Sequence, residues 1–213
     1  MNLNEFMHEV HENAVRHGWW ESERSSSESV VLIHSEWSEA IEEARAGRPM
    51  VYRNCMEGVP VDECAPCNPE SIAECLNYEK RMECEYRGAK PEGIAVELVD
   101  GVIRILDLYG KHGGALSRAD SKVMIRATKH ANPLLNKQTP LVDIVAALHS
   151  LTARAGDMML QGISPRIAAL APLEACVGLV LWWIEAQGED PEKILREKHG
   201  YNLTRPYKHG KKF

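Results

Sequence analysis

Two pairs of carboxylate side chains, each pair spaced by three residues, are the strongest candidates for chemistry in this chain. Glu36 and Glu39 form the first pair, and Glu97 and Asp100 form the second. Residues three apart lie on one face of an α-helix, so each pair predicts two acids side by side. Two such pairs on facing helices would offer four oxygen donors, which are the ligands that Mg²⁺ prefers. The spacing therefore predicts a catalytic metal site, with Mg²⁺ or Mn²⁺ as the ion.

Such a site suits hydrolysis at phosphorus. Bound divalent ions can activate a water molecule for attack, and Lys or Arg side chains can neutralise the remaining phosphate charge. A di-iron centre would instead be expected to use Glu-x-x-His motifs in a helical bundle. The third residue after Glu36 is Glu39, and the third after Glu97 is Asp100, so neither pair contains a histidine. The pattern disfavours redox iron.

The second pair lies in a segment, residues 92–109, that is apolar nearly all round. A helix with that pattern is buried. Charges inside a core are costly unless they are paired or bind a metal, so the two acids are best explained by chemistry. Arg104 and Asp107 share their face, and we expect these two to form a salt-bridged layer around the acids.

The composition predicts an ordinary soluble protein, with 44% hydrophobic and 26% charged residues. The net charge of −6 argues against non-specific binding to nucleic acids. The N-terminus lacks a basic region followed by an apolar run, and the longest apolar stretch, residues 175–184, is too short to span a bilayer. We expect a cytoplasmic protein with no nucleic-acid or membrane partner.

Helical periodicity recurs along the chain, and no clean strand alternation is present, which predicts an all-α fold. A serine among residues 25–27 is expected to cap the second helix. Pro172 is expected to kink the long apolar helix. The predicted helices cover residues 3–17, 28–46, 69–86, 92–109, 116–130, 141–155, 165–187 and 191–199.

The stretch 48–90 contains five of the six cysteines: Cys55, Cys64, Cys67, Cys75 and Cys84. The spacing Cys64-x-x-Cys67 forms a tight turn that can aim two thiolates at one Zn²⁺, and Cys55 and Cys75 could complete a tetrahedral site. The alternative is a set of reduced, partly buried thiols. The sequence leaves both open.

A weak internal repeat relates the two halves of the chain. His34-Ser35 recurs as His149-Ser150, 115 positions later, and residues 97–113 resemble residues 172–188, 75 positions later. On this register each acid of the two pairs is replaced, Glu36 by Leu151, Glu39 by Arg154, Glu97 by Pro172 and Asp100 by Ala175. We predict a pseudo-dimer of two fused helical units. The predicted divisions are a catalytic unit at 1–113 with a cysteine-rich insertion at about 48–90, a degenerate unit at 114–199, and a basic C-terminal tail at 200–213.

Two further stretches could bind a substrate. Trp19 and Trp20 could either cap the core or stack on a base. The C-terminal tail could be a solvated terminus or a phosphate-binding arm, in which Arg205 and Lys208 supply charge and Asn202 an amide.

The sequence resembles one known superfamily. The pattern Glu36-x-x-Glu39 followed by Glu97-x-x-Asp100, together with the residues around it, is similar to the E-x-x-E…E-x-x-D motif of the MazG-like, all-α NTP pyrophosphohydrolases. The ending from Asn202 to Phe213 is also similar. The resemblance covers roughly residues 1–47, 88–113 and 188–213, about half of the chain.

The resemblance implies an enzyme that cleaves a (d)NTP to the monophosphate and pyrophosphate, in nucleotide-pool house-cleaning. It implies Mg²⁺ held by the four carboxylates of the two motifs and a base pocket near Trp19 and Trp20. It also implies that Asn202, Arg205 and Lys208 lie near the phosphates. The family usually assembles four-helix units from two or more chains. This chain would then be either a homo-oligomer or a pseudo-dimeric monomer.

Two alternatives remain open. One is a helical protein without enzymatic activity, whose cysteine segment binds zinc and a partner. The other is a hydrolase of a different pyrophosphate-containing metabolite.

Overall fold

A computed structural model describes residues 1–54, 90–164 and 169–210 of the chain. These ranges are mostly helical, which confirms the predicted all-α class. Their only strands, β1 (Tyr52–Asn54) and β2 (Lys90–Glu92), form an antiparallel pair. Seven α-helices and one 3₁₀ helix are present in the described ranges: α1 (Leu3–Arg16), α2 (Ser26–Arg45), α3 (Ile94–Lys111), α4 (Ser121–Ala131), α5 (Leu141–Leu160), α6 (Ala171–Ala186), α7 (Pro191–Thr204) and the 3₁₀ helix Tyr207–Gly210. The predicted helix at 69–86 and five of the cysteines lie outside the described residues.

Polar side chains fix where several helices begin. The Asn2 side chain accepts hydrogen bonds from two backbone N–H groups of α1, and Asp190 does the same for α7. Ser25 caps α2 by accepting a hydrogen bond from the N–H of Glu28, at 3.0 Å, which identifies the cap among the three predicted serines. Each cap satisfies donors that the helix itself leaves unpaired.

Two helices differ from the sequence prediction at their ends. Pro172 lies in the first turn of α6, where its missing N–H costs nothing, so it starts the helix and does not kink it. Helix α7 continues past Gly200 to Thr204, beyond its predicted end at 199. It continues because Leu195, His199 and Asn202 are all buried on one face.

Helix α3 is the centre of the fold. It packs against α1, α2, α6 and α7, and most of its apolar side chains are buried. Gly101 lets Trp37 of α2 lie directly on α3, since a Cβ there would be 2.2 Å from the Trp37 ring. None of the described helices is long and apolar enough to cross a membrane.

Helix α5 packs between α2 and α6, and α4 packs on α6. Two polar contacts join α2 to α5, and both link residues that are 115 positions apart. Nδ1 of His34 lies 2.7 Å from Nδ1 of His149, with the two rings stacked. Trp37 Nε1 donates a hydrogen bond to Thr152 Oγ1 at 3.0 Å.

The starts of α1 and α4 also pair with each other. Leu3 N–H donates to the carbonyl of Ala119 at 2.6 Å, and Ser121 N–H donates to the carbonyl of Met1 at 3.1 Å. The two bonds flank a bridge between Asn2 and Asp120, the capping residues of α1 and α4. The starts of α1 and α4 are therefore joined by a reciprocal pair of backbone hydrogen bonds.

Candidate functional site

Three of the four predicted acids come together in the structure. Glu36 of α2 and Glu97 and Asp100 of α3 each offer a carboxylate oxygen, and these oxygens all lie within 4.8 Å of one another. Glu36 is 4% exposed and Glu97 is 6% exposed. We call these three residues the acid triad.

Close packing of α2 on α3 positions the triad. Trp37 and Gly101, which touch across this interface, directly follow Glu36 and Asp100 in the sequence. The start of α3 is held by Gly93, whose φ of +113° and whose approach to the carbonyls of Pro49 and Met50 leave no room for a side chain.

The fourth predicted acid, Glu39, is exposed and lies outside the triad. It remains close enough for its charge to act on the site, because it contributes to raising the pKa of Glu36. Glu39 thus lies at the rim of the site.

Two cationic side chains contact the triad. Lys198 of α7, which is 2% exposed, places Nζ 2.8 Å from Asp100 Oδ2. Arg104 Nε donates a hydrogen bond to Glu36 Oε1. Asp107 is not part of this network, since it accepts hydrogen bonds from Trp20 Nε1 at 2.8 Å and from His11 Nδ1 at 2.7 Å. The predicted salt-bridged layer therefore includes Arg104 but not Asp107.

The pKa values of Glu36 and Glu97 reflect negative charges that lie close together in a buried site. Burial raises the pKa of Glu97 to about 8, against the opposing charge of Lys198. Burial also raises the pKa of Glu36, although Arg104 opposes it. Burial acts to lower the pKa of Lys198, but the charges of Asp100 and Glu97 raise it overall.

The triad fits a hard divalent cation. Its donors are all carboxylate oxygens, they lie within 4.8 Å of one another, and two of the three residues are buried. Three acids also exceed the two cations that contact them. A further positive charge would offset the burial, and the smaller repulsion from Asp100 and Glu36, that raise the pKa of Glu97.

A cleft of about 120 Å³ opens beside the triad, between α1, α3 and α7. Asp100 of the triad lines the cleft, together with three arginines, Arg24, Arg104 and Arg205. The cleft therefore joins the acid triad to a wall that carries three arginines.

Two buried amide oxygens in the same cleft lack a partner. Oδ1 of Asn13 on α1 and Oδ1 of Asn202 on α7 have no hydrogen-bond partner within the described part of the chain. These residues are only 7% and 8% exposed, and both line the cleft. An unsatisfied buried acceptor costs about 1–3 kcal/mol, so a bound molecule that donates to these oxygens would gain this energy.

The two tryptophans have different environments. Trp19 lines the cleft, whereas Trp20 does not and donates a hydrogen bond to Asp107, a residue of the cleft wall. The Arg24 guanidinium lies 5.3 Å from the ring centroids of both, at the cleft wall. Of the two tryptophans, Trp19 is thus the one that lines the cleft.

The three predicted tail residues also differ in whether they line the cleft. Asn202 and Arg205 line the cleft, and Lys208 does not. The Lys208 backbone N–H donates to His17 O at 3.0 Å, and its ammonium lies 5.7 Å from the Tyr207 ring centroid. Lys208 thus joins the end of the chain to the end of α1.

Sequence reasoning missed Lys198. The available signal was its position four residues before Asn202, which places both on one face of a helix. Because the predicted helix ended at 199, this shared face was not recognised.

Comparison of the chain with protein-family models, with curated proteins and with solved structures finds no match. The triad and its cleft are therefore the features that indicate a function. The predicted zinc ligands, Cys55, Cys64, Cys67 and Cys75, lie outside the described residues, and that site stays a prediction.

Proposed function

We propose that this protein is a Mg²⁺-dependent nucleoside triphosphate pyrophosphohydrolase, which converts a (d)NTP to the (d)NMP and pyrophosphate. The observation that carries the proposal is the acid triad, whose Asp100 lines a cleft together with three arginines and two unpartnered amide oxygens. Mn²⁺ would serve the same oxygen donors. Removal of unwanted nucleotides from the cellular pool is the role that we infer for this reaction.

Glu36, Glu97 and Asp100 would hold the metal, and Glu39 stands at the rim of the same site. Bound there, a divalent cation supplies a water of lowered pKa and neutralises charge on the phosphates. The ammonium of Lys198 and the guanidinium of Arg104 keep the carboxylates in place, because each bonds to a different acid of the triad.

The arginines supply the chemistry that a polyphosphate needs. A guanidinium presents a planar fork of donors that matches two phosphate oxygens at once. Arg24 and Arg205 line the cleft from different elements, the loop before α2 and the end of α7. Their positions support a triphosphate that extends along the cleft from the triad.

The cleft also contains groups that suit a base and sugar. Asn13 and Asn202 offer oxygens that accept hydrogen bonds, and Trp19 offers an aromatic surface. Amino groups of bases and hydroxyl groups of sugars are donors of the required kind. The unpartnered oxygens therefore favour a ligand that carries such donors.

We also propose that the chain is a pseudo-dimer of two related helical units. The contacts His34–His149 and Trp37–Thr152 join residues that the repeat pairs at 115 positions. The repeat also relates the contact of Trp37 with Gly101 to the contact of Thr152 with Cys176, whose Sγ is 3.8 Å from Thr152 Oγ1. Helices α2, α3, α5 and α6 then supply, in one chain, the four helices that the family assembles from several chains.

The reaction is tested by product analysis. Canonical and modified (d)NTPs are incubated with the protein and Mg²⁺ or Mn²⁺, and the products are separated. The proposal expects monophosphate and pyrophosphate in equal amounts. Release of diphosphate and orthophosphate would refute it.

Two other outcomes of the same assay point to the alternatives. Turnover only of a different pyrophosphate-containing metabolite would indicate that the triad serves another substrate. No turnover, combined with stoichiometric zinc in the purified protein, would indicate a binding protein.

A further inference from the structure

A second, larger cavity lies among α4, α5 and α6, away from the acid triad. Its volume is about 610 Å³, within the range of about 300–1,000 Å³ that is usual for small-molecule sites. Nothing in the proposed reaction uses it.

The cavity lies where the repeat places the counterpart of the first cleft. The shift of 115 positions relates Leu32 to Ala147, and the shift of 75 relates Asp100 to Ala175. The first residue of each pair lines the first cleft, and the second lines the cavity. The shift of 75 also relates Arg104, another residue of the cleft, to Leu179, another residue of the cavity.

The correspondence extends to the helices that cover the two sites. Helix α1 covers the cleft, and α4, which shares a reciprocal pair of hydrogen bonds with it, covers the cavity. At a shift of 114 positions, three α1 residues of the cleft match three α4 residues of the cavity. The pairs are Val10 with Met124, Asn13 with Ala127, and Ala14 with Thr128.

The replacements remove the groups that a metal and a triphosphate require. Glu36 corresponds to Leu151, which lines the cavity, and Asp100 and Arg104 correspond to Ala175 and Leu179. The Leu and Ala side chains at these positions cannot hold a divalent cation, and they penalise a buried phosphate. The smaller side chains also leave a wider space than the cleft of about 120 Å³.

Two charged residues, Arg118 and Glu174, remain in the lining of the cavity, and Arg118 is exposed. Glu174 is not free to bind a cation, because it accepts hydrogen bonds from the N–H groups of Ser117 and Arg118 at 3.0 and 3.3 Å. Thr128 and Ser150 bring hydroxyl groups to the cavity. An apolar wall with a few hydroxyl groups matches a flat heteroaromatic ring that carries a neutral polar group.

We propose that this cavity binds an uncharged nucleoside at a second, non-catalytic site. The inference rests on the proposed function, because the two-unit arrangement makes the cavity the counterpart of a nucleotide cleft that has lost its metal and phosphate groups. Base and sugar are the parts of a nucleotide for which matching groups remain.

Methionine methyl NMR tests this directly, because Met124 lines the cavity. The full chain is labelled with ¹³C-methyl methionine, and the Met124 signal is assigned with the Met124→Leu variant. Adenosine, guanosine, cytidine and thymidine are then titrated in EDTA. The expected result is a saturable shift of the Met124 signal with at least one nucleoside. No shift with any of them, or an equal shift with a triphosphate, would overturn the proposal.

Matched variants locate the site. Ala175→Phe fills the cavity from an exposed position, and it should raise the nucleoside Kd at least about tenfold, a cost of about 1.4 kcal/mol. Ala153→Phe, on the exposed face of α5, should leave the Kd unchanged. Ala147→Phe fills the cavity from the opposite wall and replaces Ala175→Phe if that variant fails to fold.

Two further outcomes also count against the inference. Equal Kd values in the filled and unfilled proteins would contradict it. A Met124 signal that shifts with protein concentration alone would show that the cavity is a self-association surface. The titration needs neither Mg²⁺ nor turnover. Nucleoside binding can therefore be measured even if the proposed enzymatic activity is absent.

Discussion

The Lys198 ammonium lies 2.8 Å from the Asp100 carboxylate, and the Lys198 side chain is only 2% exposed. A fixed positive charge from Lys198 therefore lies in contact with the acid triad. The pair also ties α7, which carries two residues of the cleft, to α3, which carries two acids of the triad. Breaking a buried pair of this kind leaves an uncompensated charge, at a cost of about 3–5 kcal/mol.

We predict that Lys198→Met lowers the free energy of unfolding by about 3–5 kcal/mol in EDTA. Added Mg²⁺ should stabilise this variant more than the wild type, because a bound cation can replace the lost charge. Urea denaturation with and without Mg²⁺ measures both effects. Lys193→Met, an exposed change on the same helix, should stay within about 0.5 kcal/mol of the wild type. A Lys198→Met protein as stable as the wild type in EDTA would contradict this account.

The contact between Gly101 and Trp37 gives a second prediction. Gly101→Ala should destabilise the fold by about 1–3 kcal/mol, because its Cβ would lie 2.2 Å from the Trp37 ring. Gly200→Ala in α7 meets nothing within 4 Å, and it should stabilise the fold by about 0.5–1 kcal/mol. Thermal or urea unfolding of the two variants compares them. Equal effects would show that α2 and α3 do not pack as described.

Asn13 offers a test in which stability and binding should change in opposite directions. Its unpartnered oxygen gives the fold nothing, so Asn13→Leu should leave stability unchanged or raise it by about 1 kcal/mol. The same change should raise KM for the nucleotide at least about tenfold. Asn2→Ala, which removes the cap of α1, should instead lower stability by about 1 kcal/mol and leave KM unchanged. An unchanged KM in Asn13→Leu would remove this residue from the binding site.

The stacked histidines between α2 and α5 predict a dependence of stability on pH. Burial and the charge of His149 lower the pKa of His34, and burial lowers that of His149. Both side chains are therefore neutral in the folded protein at a pH where the unfolded chain binds protons. Stability should be fully present above the unfolded pKa of about 6.5 and decline as the pH falls below it.

Urea denaturation at about pH 7.5 and about pH 5.5 measures this decline. The loss between the two pH values should be smaller in His149→Phe than in the wild type, because one of the two titrating groups is gone. His130→Phe, at an exposed position, should behave as the wild type does. Equal losses in all three proteins would mean that the pair does not titrate with folding.

The sequence was sufficient for the parts of the site that depend on local spacing. Two acids three residues apart must share a helix face, and the apolar helix around Glu97 and Asp100 had to be buried. The fourth acid shows where this reasoning ends. Spacing places Glu39 beside Glu36, but in the packed structure Glu36 is buried and Glu39 stays exposed at the rim.

Long-range pairings were harder to predict. The pairing of His34 with His149 was visible only as a repeated dipeptide, and the role of Lys198 was hidden by a glycine two residues later. A glycine commonly marks the end of a helix, yet α7 continues past Gly200 because the residues on its buried face pack against the rest of the protein. Tertiary packing determines both the pairing of His34 with His149 and the length of α7.

Pyrophosphate release from (d)NTPs by the wild type and by triad variants tests the central claim most directly. Glu36→Gln and Asp100→Asn keep the shape of the side chains but remove their charge, and each should lower kcat at least about 100-fold. Glu185→Gln, an exposed change on α6, should leave the rate unchanged. Mg²⁺-dependent pyrophosphate release that persists in both triad variants would contradict the account.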